Sequence, residues 1–414
     1  MVGNKMTRRE FITKTAAGTA GLALASSGLL SPARVLGAND RLSIGIVGPG
    51  QRGRGLMGDV HKLAEECNAE ITAVCDIWTA NLDRGAGMVK EWWGTEPRKF
   101  RHFEDMLALE DLDGVIIGTA DFQHAKMLAQ AVKAGKDVYS EKPMANDLKD
   151  ARKALEAVLE TGQIVQIGTQ RRSDGMHAAA AAMVQSGVLG TISKVDVAWN
   201  YFGARWRRGD VDEVKEEDTE WKRFLMGKKY RPFDPHQYME WRLFRDFSSG
   251  IPDQWMSHMI DVVHWLTGEQ FPKSVVAHGG TYVWKDGREN GDTFHALLEY
   301  PKGFLVSYST MFGNSSPSRF KIHGTNGTLD CGTWKITAEG GGGDGKIKEE
   351  IAIEPLPGDH HMKNWLDCVR SRKQPTADVF SGYSHSIATI MAARALRSGE
   401  KILYKPSSQD IDEA

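Results

Sequence analysis

Three glycines, a carboxylate, a lysine and a histidine carry the chemistry that this chain can be expected to do. Gly48, Gly50 and Gly53 follow an apolar run at 41–47 directly. That spacing makes a turn whose backbone can approach a pyrophosphate, with a helix N-terminus aimed at the charge. Asp76 closes the next apolar run, where a carboxylate accepts hydrogen bonds from a ribose diol and repels a 2′-phosphate. This favours NAD over NADP. Lys142, between Glu141 and Pro143 at another run's end, can donate to a hydroxyl or join a proton relay if its pKa is lowered. His258 has the natural pKa to take a hydroxyl proton as hydride leaves. Asp261 and Trp265 share its helix face at i+3 and i+7, and Asp261 is expected to orient its other ring nitrogen.

Around these lie the expected cofactor contacts: Pro49, Gln51 and Arg52 in the turn, Ile77 beside Asp76, Thr119 and His124 after the run at 114–118, and Glu141. Arg52 and Arg54 are also candidates for binding a phosphate. His124 has two readings, a wall of the nicotinamide site or a packed helix residue. Asp121 reads as a cap of its own helix. Arg205, Trp206, Arg207 and Arg208 can hold a sugar by stacking and charge, or simply form a solvated loop. His264 reads as structural. The adjacent His360 and His361 lack metal-pair spacing, and no metal site is expected.

Positioning these groups requires alternating strands and helices. Buried-type strands are expected at 43–47, 71–77, 114–118, 137–140 and 164–168, with helices at 53–66, 124–134 and 148–161. That order predicts a doubly wound parallel sheet with right-handed crossovers. Beyond about residue 190 polar/apolar alternation takes over, at 194–199, 274–284, 293–300, 304–310, 318–323 and 328–331, as in an open, largely antiparallel sheet. Late helices are expected at 362–370 and 383–398. The aromatic-rich stretch 206–238 is expected to form an active-site flap. The expected fold class is α/β: a leader at 1–38, a Rossmann domain at 39–162, an α+β domain with the open sheet at 163–406, and a tail at 407–414.

The 414 residues, 41% hydrophobic and 26% charged with a net charge of −2, suit a two-domain globular protein and offer no global attraction to nucleic acid. The four cysteines make no CxxC pair, and no disulfide is expected. Arg8, Arg9 and Phe11 precede a mild apolar run and read as a twin-arginine export signal, with cleavage near 35–38. The expected location is therefore periplasmic or exported, with the twin-arginine machinery as a partner. No later stretch approaches about 20 uninterrupted apolar residues, so no membrane span is expected. Outside the cytoplasm soluble NAD is scarce, so the cofactor is expected to be held tightly and regenerated in place.

The ordered set Gly48, Gly50, Gly53, Asp76, Thr119, Asp121, His124, Glu141, Lys142, Pro143, Gly250, Ser257, His258, Asp261 and Trp265 resembles the Gfo/Idh/MocA family from about Arg41 to Leu403. The resemblance implies a Rossmann domain, an open-sheet domain that mediates homo-oligomers (dimer or tetramer), a nicotinamide cofactor, and hydride transfer at a sugar or cyclitol carbon. It implies that Lys142 and His258 are catalytic, and that Gln170 and Arg171 lie near nicotinamide and substrate. The family commonly has an aspartate four residues before the histidine. Here Gln254 stands there, able to hydrogen-bond a hydroxyl but not to take its proton, with Asp253 next to it as a substitute. The expected function is an NAD-dependent oxidoreductase on a small carbohydrate. The alternatives are an NAD-dependent glycosidase working by oxidation, elimination, hydration and re-reduction, and a scaffold that merely retains NAD.

Overall fold

The computed structural model describes residues 40–414, so the expected export signal and the cleavage expected near 35–38 lie outside the described residues. Strand β1 (Leu42–Val47) runs into a helix over Gln51–Lys62 that buries Leu56, Met57 and Val60. β2 (Ala69–Cys75), β3 (Arg98–Phe100), β4 (Gly114–Ile117), β5 (Asp137–Ser140) and β6 (Val165–Ile167) complete a parallel sheet ordered β3-β2-β1-β4-β5-β6. β4, β5 and β6 are buried at every position, so β4 is continuously apolar rather than alternating, while β5 and β6 also bury the polar Asp137, Ser140 and Gln166. Helix boundaries follow local chemistry. Asp147 caps Leu148–Thr161 by accepting from the amides of Lys149 and Asp150, and Gly162 ends it in the left-handed region at φ +71°. The strand order reverses between β1 and β4, so the loops after β1, β4 and β5 open into one crevice.

The second sheet contains β7 (Ile192–Ala198), β9 (Ser274–Gly280), β10 (Thr293–Glu299), β11 (Leu305–Met311), β13 (Arg319–Gly324), β14 (Thr328–Asp330), β15 (Lys335–Thr337), β16 (Ile351–Ala352), β17 (Ile402–Lys405) and β18 (Asp410–Glu413). A separate ribbon pairs β8 (Tyr201–Phe202) with β12 (Gly313–Asn314). The ten strands are ordered β16-β15-β14-β13-β7-β11-β10-β9-β17-β18. On β10, Phe294, Ala296 and Leu298 point inward while His295 and Leu297 point out. The inner face is covered by helices over Gly175–Gln185, Ser257–Thr267 and Val379–Ser398. Its core is continuous with that of the Rossmann sheet.

The sheet is largely antiparallel, as expected, with β7 and β11 as its one parallel pair. Two expectations change. The strand expected at 274–284 ends at Gly280, because the amides of Tyr282, Val283 and Trp284 turn onto the Asp292 carboxylate at 3.0, 2.8 and 2.7 Å. The expected tail is in part an edge strand, with Asp410–Glu413 paired to Ile402–Lys405.

The stretch 206–238 is a folded cap rather than a loose flap. Its short helices include Trp221–Leu225 and Pro235–Met239. Trp221, Phe224, Leu225 and Tyr238 pack with Phe247 against Trp78, Ala120 and Phe122 of the Rossmann domain. Side chains of this size contribute about 1.5–3 kcal/mol each on burial, which gives the cap a core of its own over the crevice.

Candidate active site at the dinucleotide crevice

The glycine turn is built for close approach. Gly48 has φ +79°, and a Cβ there would lie 2.9 Å from Thr119 Cγ2. A Cβ on Gly53 would lie 2.1 Å from the Gly48 carbonyl oxygen, so only glycine lets the helix pack onto the turn. A Cβ on Gly50 would meet only Asn81, at 3.9 Å, and Gly50 lines the cavity beside the turn. Gly50 also caps its helix without a side chain, leaving first-turn N–H groups for an anion. Pro49 braces the turn, within 2.9 Å of a Cβ built on Gly85, and its carbonyl accepts from Arg54 Nη1 at 2.9 Å. Arg52 Nε donates to Glu141 Oε1 at 2.7 Å. Both arginines thus already have acceptors.

The turn borders a cavity of about 920 Å³, with Gln51, Arg52, Asp76, Ile77 and Thr119 among its lining residues. Asp76 accepts from the Trp78 amide at 2.8 Å and from the Asn81 side chain. Burial pushes its carboxyl up to about 7. The cradle and the carboxylate together fit a pyrophosphate and a ribose diol.

At the other end of the cavity stand Lys142 and His258. A second cavity of about 570 Å³ is lined by the same two residues together with His124, Glu141 and Gln170. Lys142 follows β5 and is joined to Pro143 by a cis peptide bond. Its Nζ donates to the Gln254 carbonyl at 2.9 Å and lies 3.5 Å from Gln254 Oε1. Burial lowers the Lys142 pKa against the pull of Asp121 and Glu141. Burial, then the charges of Lys142 and Arg171, hold His258 well below the ordinary imidazole value, so its ring is neutral and free to accept a proton.

Gln254 lies in a π-helical turn, Pro252–Met256, at the head of the Ser257–Thr267 helix. Its Nε2 donates to both Asp121 oxygens at 2.7 and 2.6 Å, and its Oε1 accepts from Arg242 Nε at 2.9 Å. Asp121 also accepts from Ser248 Oγ at 2.7 Å. It is therefore the acceptor at the centre of a buried network beneath Lys142 and not a helix cap; burial raises its carboxyl against the pull of Lys142 and Arg242. Asp121 and Arg242 were not identified from sequence. The Thr119–His124 spacing could have pointed to Asp121, whereas Arg242 has no local signal.

Several expected site residues sit elsewhere. Asp261 does not orient His258. Both of its oxygens accept from Arg172 Nε at 2.9 Å, and His385 lies on its other side at 3.7 Å. Asp253 does not reach the crevice. It is buried, accepts from the Ser249 amide at 2.7 Å and lines neither cavity, because Gln254 takes the inward-facing position of the turn. Burial, with Asp121 nearby, pushes its carboxyl up to about 6. Arg171 also lines neither cavity, lying over the Trp199 ring at 5.2 Å. Gln170 walls the second cavity with Nε2 3.5 Å from Tyr139 Oη. His124 combines its two readings. Its ring nitrogens lie 2.8 Å from the Pro143 carbonyl and 3.1 Å from that of Thr119, so it ties the two loops together while walling the second cavity. His264 is structural, between Tyr300 Oη at 2.8 Å and Ser384 Oγ at 2.7 Å.

Among the described residues no group of three or more His, Cys, Asp or Glu is arranged to hold a metal, and the four cysteines are buried and unpaired. Also among them, no helix is long and apolar enough to cross a membrane.

Known proteins share this architecture. The family model described as an oxidoreductase family NAD-binding Rossmann fold matches residues 42–169. Its companion, the C-terminal alpha/beta domain, matches residues 225–403. Inositol 2-dehydrogenase of Rubrobacter xylanophilus is 35% identical over 156 residues, which are 37% of this chain and 42% of that enzyme. A glycosyl hydrolase family 109 protein of a Shewanella species is 24% identical over 87% of this chain and 73% of its own length. The crystal structure of the WlbA dehydrogenase of Bordetella pertussis, in complex with NADH and UDP-GlcNAcA, superposes with a TM-score of 0.66 at 21% identity, over 88% of this chain and 99% of that one. With the glycine turn, the buried Asp76 beside it and both matched domains, the chain is an oxidoreductase of the Gfo/Idh/MocA family with an NAD-binding Rossmann domain.

Proposed function

We propose that the protein oxidises a ring hydroxyl of a sugar, sugar derivative or cyclitol, with NAD as the hydride acceptor. The observation that carries this reading is that Lys142 and His258 wall the same crevice, although each belongs to a different domain. Gly48, Gly50, Gly53 and Asp76 would hold the cofactor. NAD, when bound, supplies a ring carbon that accepts hydride. Lys142 donates a hydrogen bond to the substrate oxygen and stabilises developing negative charge there. His258, half-buried and kept neutral by desolvation and the charges of Lys142 and Arg171, takes the hydroxyl proton at a ring nitrogen. The alcohol thereby loses one hydride and one proton and becomes a ketone. The cap restricts water in the crevice, which strengthens both interactions.

The same reading extends to features of the whole protein. The Arg8, Arg9 and Phe11 pattern supports export by the twin-arginine route, and export favours a cofactor that is tightly held and recycled. Val276 and Leu297, paired across β9 and β10, are 39% and 43% exposed on the outer sheet face, which supports a homo-oligomer. Similarity to a family 109 glycosyl hydrolase protein over most of its length supports a second reading, redox-neutral glycoside cleavage.

The test is to purify the protein with its cofactor and add free sugars or aryl glycosides without external NAD. Stoichiometric NADH absorbance supports the dehydrogenase. Aglycone release without net NADH selects the glycosidase. Silence from both, with NAD intact, overturns both.

A further inference from the structure

Arg205, Arg207, Arg208 and Arg242 are among the residues that line the larger cavity, and only two of these four make carboxylate ion pairs among the described residues. Arg207 is taken by Glu240 and Asp286, and Arg208 by Asp210. Two guanidinium groups remain. Arg205 has no carboxylate partner among the described residues. It lies over the rings of Tyr201 at 5.4 Å and Trp255 at 5.9 Å, and it lines the cavity. Arg242 uses Nε on Gln254, stacks on Trp241 at 4.0 Å, and lines both cavities with its two Nη groups unpaired among the described residues.

The excess does not follow from composition, since the whole chain carries a net charge of −2. Arg242 is half-buried, and Arg205, although exposed, is not loose. Each is held against an aromatic ring that fixes its plane while the donor edge stays open. Burial disfavours the Arg242 charge, Asp121 and Glu141 favour it from the support side, and Arg205 lies near enough to oppose it from the cavity side. Two like charges kept together beside a cleft, with their donors unspent, are best satisfied by an anion between them. Trp199, Trp206, Trp241 and Trp255 line the same space and offer apolar faces on which a sugar ring can lie.

We propose that Arg205 and Arg242 form a subsite for the anionic group of an acidic sugar, a carboxylate or a phosphate monoester. The inference rests on the hydride-transfer reading of the same crevice and deepens it by naming the substrate class. The neutral ring stacks on the tryptophans, the anion bridges the two guanidinium groups, and the hydroxyl to be oxidised falls toward Lys142 and His258.

The test is calorimetric titration of the NAD-loaded protein with matched sets of hexose, hexuronate and hexose 6-phosphate in the gluco, galacto and manno configurations. In at least one configuration an anionic member should bind about tenfold or more tightly than its neutral partner, and its affinity should fall with salt. Arg205→Gln should erase about tenfold of that preference, and Arg205→Lys should restore part of it. Stronger binding of the hexuronate assigns a carboxylate, and of the 6-phosphate a phosphate. Neutral members that bind as well as anionic ones in every configuration overturn the subsite, as does an Arg205→Gln loss that is equal for both. Turnover separates this from the underlying reading. NADH formed without any anion preference removes the subsite and leaves hydride transfer standing. Anion preference with neither NADH nor aglycone leaves the subsite and removes hydride transfer.

Discussion

Lys142 Nζ donates to the main-chain carbonyl of Gln254 at 2.9 Å, across 112 residues of sequence and from one domain to the other. Because the acceptor is backbone, any side chain at 254 preserves it. The Gln254 side chain has a different task, spanning Asp121 and Arg242. Catalysis and support can therefore be separated. Lys142→Met should reduce turnover by about 10²- to 10⁴-fold with NAD affinity unchanged, read by cofactor fluorescence. Gln254→Leu should instead cost about 1–3 kcal/mol of stability, by leaving the buried Asp121 short of donors, read by denaturant melts. If Lys142→Met retains full turnover, the lysine has no place in the reaction.

His258 must be neutral to accept a proton. Its pKa is held well below the ordinary 6.5 by burial and by Lys142. The acid limb of kcat/KM for alcohol oxidation should accordingly fall below that value, and activity should stay level through neutral pH. His258→Asn should abolish the limb together with most of the turnover. An acid limb at or above 6.5 that survives in the variant would assign the titration to another group.

Asp76 is pushed up to about 7, so its charge is lost as pH falls through neutrality. The ionised form accepts from a ribose diol and repels a 2′-phosphate. NAD affinity should therefore weaken, and discrimination against NADP should narrow, between pH 8 and pH 6. Asp76→Asn should show the narrowed preference at both values. Equal preference in parent and variant, measured by fluorescence titration of the two cofactors, would remove Asp76 from the ribose site.

Much of this was legible in the chain. The largely apolar runs of β1 and β4 specify buried parallel strands, and the glycine spacing specifies the turn between β1 and its helix. What failed depends on distant partners. Helical spacing puts Asp261 on the His258 face, but Arg172, 89 residues away, claims its carboxylate. Asp121 looks like a cap until Ser248 and Gln254, 127 and 133 residues on, are brought to it. The helix Gly175–Gln185 is so rich in alanine that it carries little amphipathic signal. The edge strand Asp410–Glu413 is too short and too acidic to read as one.

The Arg172–Asp261 pair provides the sharpest separation of structure from catalysis. Asp261 is 1% exposed, and burial alone would raise its pKa. Arg172 and His385 overcome that and hold it below the usual 3.8. A carboxylate with a depressed folded pKa stabilises the fold above its unfolded pKa, and that stability is lost as pH falls through the folded value. Arg172→Met leaves this buried charge uncompensated and should cost about 3–5 kcal/mol at neutral pH. Lowering the pH toward 5 should shrink the deficit, because the stranded carboxyl, its pKa now raised, takes up a proton. Asp261→Asn in the Arg172→Met background should recover much of the loss. Denaturant midpoints of the four proteins at pH 5 and pH 7.5 measure all of this. If Asp261→Asn alone abolishes turnover while its midpoint and its NAD affinity match the parent, then Asp261 acts on His258 after all, and the division of roles drawn from this geometry is wrong.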